Sequence, residues 1–174
     1  MSIKNIITVP DEILKKISDP IEKVGFNEKK LVNDLFETMY DSNGIGLAAV
    51  QVGILKRILV IDISNKDEKK NPLSLINPVI KKVSNETSIY EEGCLSIPDT
   101  FIEIERPKIC EIEYVNIDGK IKSLICDGLL STCIQHEINH LDGKLIIDNL
   151  SKLKRDMIIK KISKFQKNPD RIIV

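Results

Sequence analysis

The sequence is short of most of the side chains that betray a partner by composition. Among 174 residues there are two histidines and no tryptophan, and aromatics make up 4%, so stacking platforms for single-stranded nucleic acid are scarce. Net charge is also missing. The 26 Lys and Arg balance 26 Asp and Glu, and attraction of the whole molecule to nucleic acid is not expected. No apolar run approaches the roughly 18 residues of a spanning helix. The opening stretch, MSIKNIITVPDEIL, has no basic segment leading into an apolar one, so neither a membrane anchor nor an export signal is expected. The four cysteines form no C-x-x-C pair, which argues against a disulfide scaffold and for a reducing compartment. With 42% hydrophobic residues and no repeat, low-complexity stretch or Pro/Gly/Ser linker, residues 1–174 are expected to form one domain.

The patterns that remain are those of an α+β protein. Residues 11–17 suit a brief helix stopped before Pro20. Leu31, Val32, Leu35, Phe36 and Met39 recur at helical spacing, which predicts a helix over 28–41 with Asn27 as its N-cap. The run ILVIDI at 58–63 is continuous, apolar and β-branched, as a buried strand requires, and a lysine-rich loop follows at 64–72. Strands are expected near 75–82, 87–95 and 100–105, and 108–117 and 120–126 flank an Asp118-Gly119 hairpin turn. Helical period returns from Leu129 to Leu141, with Gly143 as the stop, and a last helix is expected at about 150–167.

Both histidines fall in one pentapeptide, His136-Glu137-Ile138-Asn139-His140. Two scattered histidines would lie four apart only about 1% of the time, and a glutamate beside the first reduces this to roughly 0.1%. On a helix, positions i and i+4 share a face, so both imidazoles can reach one metal ion. Glu137, about 100° around, can address a water there.

A catalytic site of this kind needs a third protein ligand. Glu137 is the last glutamate in the chain, so the plan with a downstream Glu fails. The plan with a third histidine fails too, since Ile146 stands where that residue belongs. Asp142, Asp148 and Asp156 stay open in principle. Thiolate is a strong ligand for zinc and ferrous iron. Cys133 lies about 10.5 Å along the helix axis from His140 and reads as a small buried hydrophobe, as do Cys110 and Cys126 in their strand-like runs. Cys94 differs: in Glu91-Glu92-Gly93-Cys94-Leu95-Ser96-Ile97-Pro98 a glycine precedes it, where backbone can approach a ligand, and a proline closes the strand. Cys94 is the favoured third ligand.

A third segment, Gly44-Ile45-Gly46-Leu47-Ala48-Ala49-Val50-Gln51, completes a set. With Glu92-Gly93-Cys94-Leu95-Ser96 and the H-E-x-x-H, it resembles the three signature motifs of the peptide deformylases, in their order and with similar separations. The resemblance implies small mixed or antiparallel sheets packed around a central helix carrying H-E-x-x-H, with an N-terminal and a C-terminal helix. It implies removal of the N-formyl group from the formylmethionine of newly made bacterial or organellar proteins, with release of formate. It further implies one divalent metal ion on Cys94, His136 and His140, ferrous iron in vivo, with zinc, nickel or cobalt in its place in a purified sample. Glu137 would take a proton from the attacking water and deliver it to the leaving amine, while the Gln51 side-chain amide and the Leu95 N–H donate to the oxyanion. A peptide would add as a strand beside Gly44, Ile45 and Gly46 and beside the segment with Glu92, with its methionine in a pocket of Tyr90, Gly93, Leu129, Cys133 and His136. For Ile45, Tyr90 and Leu129, simple core packing is an equal expectation.

Two positions depart from the family pattern. Asn139 stands where an aspartate is usual, so a neutral hydrogen bond to Arg106 is expected in place of an ion pair, and Phe101 stands where many members carry a basic residue. The competing readings are a metallopeptidase of the H-E-x-x-H kind and a structural metal domain closed by a fourth protein ligand. From 150 to 174 there are eight basic residues, Lys152, Lys154, Arg155, Lys160, Lys161, Lys164, Lys167 and Arg171, against Asp156 and Asp170, so net neutrality hides a polar split. A solvated face is the default expectation, and a transient electrostatic contact with the ribosome is the functional one. A cytoplasmic or organellar monomer with no membrane contact is expected.

Overall fold

A computed structural model describes residues 2–65 and 69–167. Its strands are β1 (Gly46–Ala48), β2 (Ile58–Ile61), β3 (Leu73–Val83), β4 (Thr87–Cys94), β5 (Ile97–Pro107), β6 (Ile109–Val115) and β7 (Ile121–Asp127). Its helices are α1 (Phe26–Asp41), α2 (Gly128–Leu141) and α3 (Lys152–Lys167). Short 3-10 turns occupy Glu12–Lys15, Ala49–Val52 and Ile146–Asn149. A five-stranded sheet runs in the order β1-β2-β3-β6-β7, and β4 and β5 pair separately; every pairing is antiparallel.

The continuous apolar run in β2 follows from what covers it. Ile58 and Val60 pack with Leu31, Val32, Leu35 and Met39 of α1, whereas Leu59 and Ile61 pack with Ile134, Ile138 and Leu141 of α2. With a helix on each face the strand has no solvent side, and alternation disappears from its sequence. The second hairpin keeps its alternation: Glu92, Cys94, Ile102, Ile104 and Arg106 are buried, while Glu91, Phe101 and Glu103 are exposed. Helix α2 lies between the large sheet and β5, and buries all of Ser131 to Ile138.

Several boundaries depart from expectation. Helix α1 starts two residues early, because Glu28 reaches back to accept the Gly25 N–H at 2.9 Å; Gly25, not Asn27, is the N-cap. β1 and the turn after it are too short to carry a periodic signal. Gly143 ends α2 at φ 71°, and a Cβ there would also collide with the Lys15 carbonyl, so both conformation and space require glycine. Residues 66–68 of the lysine-rich loop, and Asp170 and Arg171 of the basic tail, lie outside the described residues.

Candidate metal centre

Helix α2 aims His136 and His140 from one face, with ring centroids 5.0 Å apart. Cys94 arrives from the end of β4, where the regular pairing of β4 with β5 shifts register between Gly93 and Cys94 and the chain turns through Leu95 and Ser96. One ligand atom from each of Cys94, His136 and His140 lies within 4.8 Å of the others, and Cys94 Sγ is 3.2 Å from His140 Nε2. Among the described residues this is the one such cluster of His, Cys, Asp and Glu. The favoured third ligand is therefore brought to the two histidines.

The surrounding groups fix the ligands. His136 Nδ1 bonds Glu92 Oε2 at 2.8 Å, which leaves Nε2 for the cluster. Glu92 is in turn held by Arg106 through Nε at 2.5 Å and Nη2 at 3.0 Å, and Arg106 Nη1 donates to Asn139 Oδ1 at 2.8 Å. The neutral partner expected for Arg106 is there. The fork from Arg106 to Glu92 was not legible in the sequence, because nothing local to position 106 marks a partner 14 residues away on the neighbouring strand. Glu92 lines the cavity, but its carboxylate is engaged with Arg106 and His136, so it orients a histidine rather than presenting a free group to a peptide.

The two histidines are shifted in opposite directions. Burial pushes the His136 pKa down, yet hydrogen bonds to Cys94 and Glu92 and the charge of Glu137 outweigh it and raise it to about 10. Burial, with the charges of His136 and Arg106, holds His140 well below the ordinary imidazole range. Burial also raises Glu137 to about 7, and its Oε2 has no hydrogen-bond partner. A thiolate, two imidazoles and an adjacent carboxylate left unliganded suit a catalytic divalent ion.

A cavity of about 510 Å³ opens beside the cluster, within the range of ligand pockets. Gly44, Ile45, Gly46, Gln51, Tyr90, Gly93, Leu95, Leu129, Cys133, His136 and Glu137 all line it, and His140 stands behind them. Gln51 Oε1 accepts from the Ala48 N–H at 2.8 Å, which turns its amide toward Ser96 Oγ at 3.1 Å and Cys94 Sγ at 3.7 Å. Cys133 is an apolar wall: burial, with Glu137 nearby, pushes its thiol up to about 12. Phe101 is 67% exposed at the mouth, with its ring over Gly93, where any Cβ would strike it. Thr132 also lines the cavity and had no sequence signal, while Ser96, the last residue of the second motif, accepts from the Gln51 amide behind it.

An antiparallel α+β frame that joins a helix-borne H-E-x-x-H to a strand-end cysteine, with a spare carboxylate over a cleft, defines a metal-dependent hydrolase. The family profile described as polypeptide deformylase matches residues 3–156. The chain is 57% identical to the peptide deformylase of Pelagibacter ubique over 100% of both proteins, and 50% identical to that of Rhizobium meliloti over 96% of each. The solved peptide deformylase of Ehrlichia chaffeensis in complex with actinonin superposes with a TM-score of 0.92 at 42% identity, covering 97% of this chain and 100% of that one. The chain belongs to the polypeptide deformylase family, whose members are hydrolases that remove the N-formyl group from nascent polypeptides.

Proposed function

We propose that this chain deformylates N-terminal formylmethionine through Cys94, His136 and His140 as ligands of one metal ion and Glu137 as general base and acid. The observation that carries this reading is the convergence of those three ligand atoms within 4.8 Å beside a buried, unpartnered carboxylate oxygen. When bound, the ion supplies Lewis acidity toward water and toward the formyl oxygen. Glu137 takes the proton of the attacking water and later delivers it to the methionine nitrogen, so that formate and a free amine leave. The Gln51 amide, already directed toward Cys94, and the Leu95 N–H donate to the oxyanion.

The substrate is a formylmethionyl peptide, extended between the Gly44-Ile45-Gly46 segment and β4. Backbone pairing there gives affinity without reading sequence, as an enzyme with many protein substrates needs. Tyr90, Gly93, Leu129, Cys133 and the edge of His136 surround the methionine side chain. We assign ferrous iron as the ion in vivo on the resemblance to the deformylases; thiolate and imidazole hold zinc, nickel and cobalt as well. Metal analysis after anaerobic purification tests this, and zinc alone would overturn it.

The bacterial relatives support a cytoplasmic location, and we take the chain to act there as a monomer and a single catalytic unit; among the described residues no helix is long and apolar enough to cross a membrane. Exposed Lys152, Lys154, Lys160, Lys161 and Lys164 on α3 support a transient contact with ribosomal RNA. Ribosome binding that is salt-insensitive and survives deletion of 151–174 would refute that contact. The activity itself is tested with formyl-Met-Ala-Ser and protein loaded with ferrous iron or nickel. Release of formate without peptide cleavage is expected; cleavage of the Met-Ala bond, or no metal-dependent turnover, overturns the assignment.

A further inference from the structure

We propose that Gly46 is a positioning residue for Glu137: the absence of a side chain at 46 is what lets the carboxylate stand beside the metal ligands. This role rests on that of Glu137 as base. Glu137 rises from α2 toward β1, is 4% exposed, and has one oxygen without any hydrogen-bond partner. Packing, rather than a bond to that oxygen, therefore sets where the carboxylate sits, and Gly46 is the wall it rests on. A Cβ built on Gly46 would fall under 3.0 Å from Glu137 Oε1, 3.0 Å from Cδ and 3.1 Å from Cγ. All three nearest atoms belong to that one side chain.

Neither backbone conformation nor strand propensity calls for glycine at 46. Gly46 is not among the glycines with positive φ, unlike Gly53, Gly119, Gly128 and Gly143, so its backbone conformation is open to any residue. It lies in a strand, where alanine is otherwise slightly favoured over glycine. At Gly44 a Cβ would meet the tip of Leu95, a flexible side chain that can swing away. Glu137 has less freedom, because its helix is held by His136 on Glu92 and by the apolar packing of Ile134, Ile138 and Leu141. A methyl group at 46 must therefore displace the carboxylate itself. Displacements of about 1 Å at a catalytic group cost up to about a hundredfold in rate.

The test is Gly46→Ala, which retains the backbone N–H and C=O that a bound peptide would use. With the metal-loaded enzyme and formyl-Met-Ala-Ser, kcat should fall about tenfold or more while KM stays within about twofold and one metal ion per chain is retained. Thermal denaturation of Gly46→Ala in the wild-type and Glu137→Ala backgrounds adds a readout that a general structural role would not share. Any loss of Tm should disappear once the carboxylate is gone, and a variant too unstable to assay should become foldable in that background. A kcat within about twofold of wild type, or an equal loss of Tm in both backgrounds, overturns the proposal. Wild-type protein that releases no formate would instead fault the assignment of activity, which separates the two failures.

Discussion

Glu137 can act as a base only when ionised. Burial raises its carboxyl to about 7, so a fall in pH through that value adds a proton and removes the base, while a bound cation beside it works in the opposite direction. The acid limb of kcat/KM is accordingly expected at or below about pH 7, and a rate that climbs as pH falls through this range would contradict the role. Glu137→Ala should keep its metal by elemental analysis and lose turnover by about a hundredfold or more; full activity in that variant would contradict it equally. At this scale much was legible. His136 and His140 declared themselves because helical spacing is local, and Cys94 stood out by its neighbours. Arg106 was reached only through the family resemblance, as the partner of Asn139, and its fork to Glu92 was not legible, since only the pairing of two strands creates it.

Between elements, that fork ties the β4–β5 hairpin to α2 through Glu92, His136 and Asn139. Arg106→Leu leaves a buried carboxylate with less compensation, and a loss of about 3–5 kcal/mol is expected in urea denaturation. Metal affinity should fall about 10–100-fold with it, because His136 loses its fixed orientation; unchanged affinity would show that Glu92 holds the histidine unaided. Asp34 does a similar task for α1. Burial works against its ionisation, but hydrogen bonds from Lys30, the Ser2 N–H and Lys4 outweigh this and lower it to about 2. A lowered carboxylate stabilises above its ordinary value of 3.8 and loses that contribution as pH falls toward 2. Asp34→Asn should therefore cost about 1–2 kcal/mol at neutral pH, the lysines being half exposed, with the difference from wild type gone near pH 2. The long helices followed from periodicity and β2 from its unbroken apolar run, while β1 carried no signal and the early start of α1 escaped because a side chain, Glu28, supplies the cap.

For the whole molecule, the proposed ion would join the end of one hairpin to the central helix, so metal removal should be felt beyond the site. Chelation is expected to lower Tm as well as abolish turnover, by an amount equivalent to about 3 kcal/mol when the metal had been present at a hundred times its Kd. Added nickel or ferrous iron should restore both, and a Tm indifferent to chelation would show that the hairpin and helix hold together without it. The sequence by itself determined the chemistry available here: two histidines and a glutamate at helical spacing, a cysteine set behind a glycine, and enough alternating and helical pattern to make an α+β chain. These are legible because residue type and short-range period are properties of adjacent positions. Only the tertiary structure decided that Cys94 reaches His140, that Arg106 clasps Glu92, and that Gly46 faces Glu137 across a gap too small for a methyl group. Each of those is a contact between segments far apart in the chain, set by how β1, the second hairpin and α2 pack together rather than by any one of them alone.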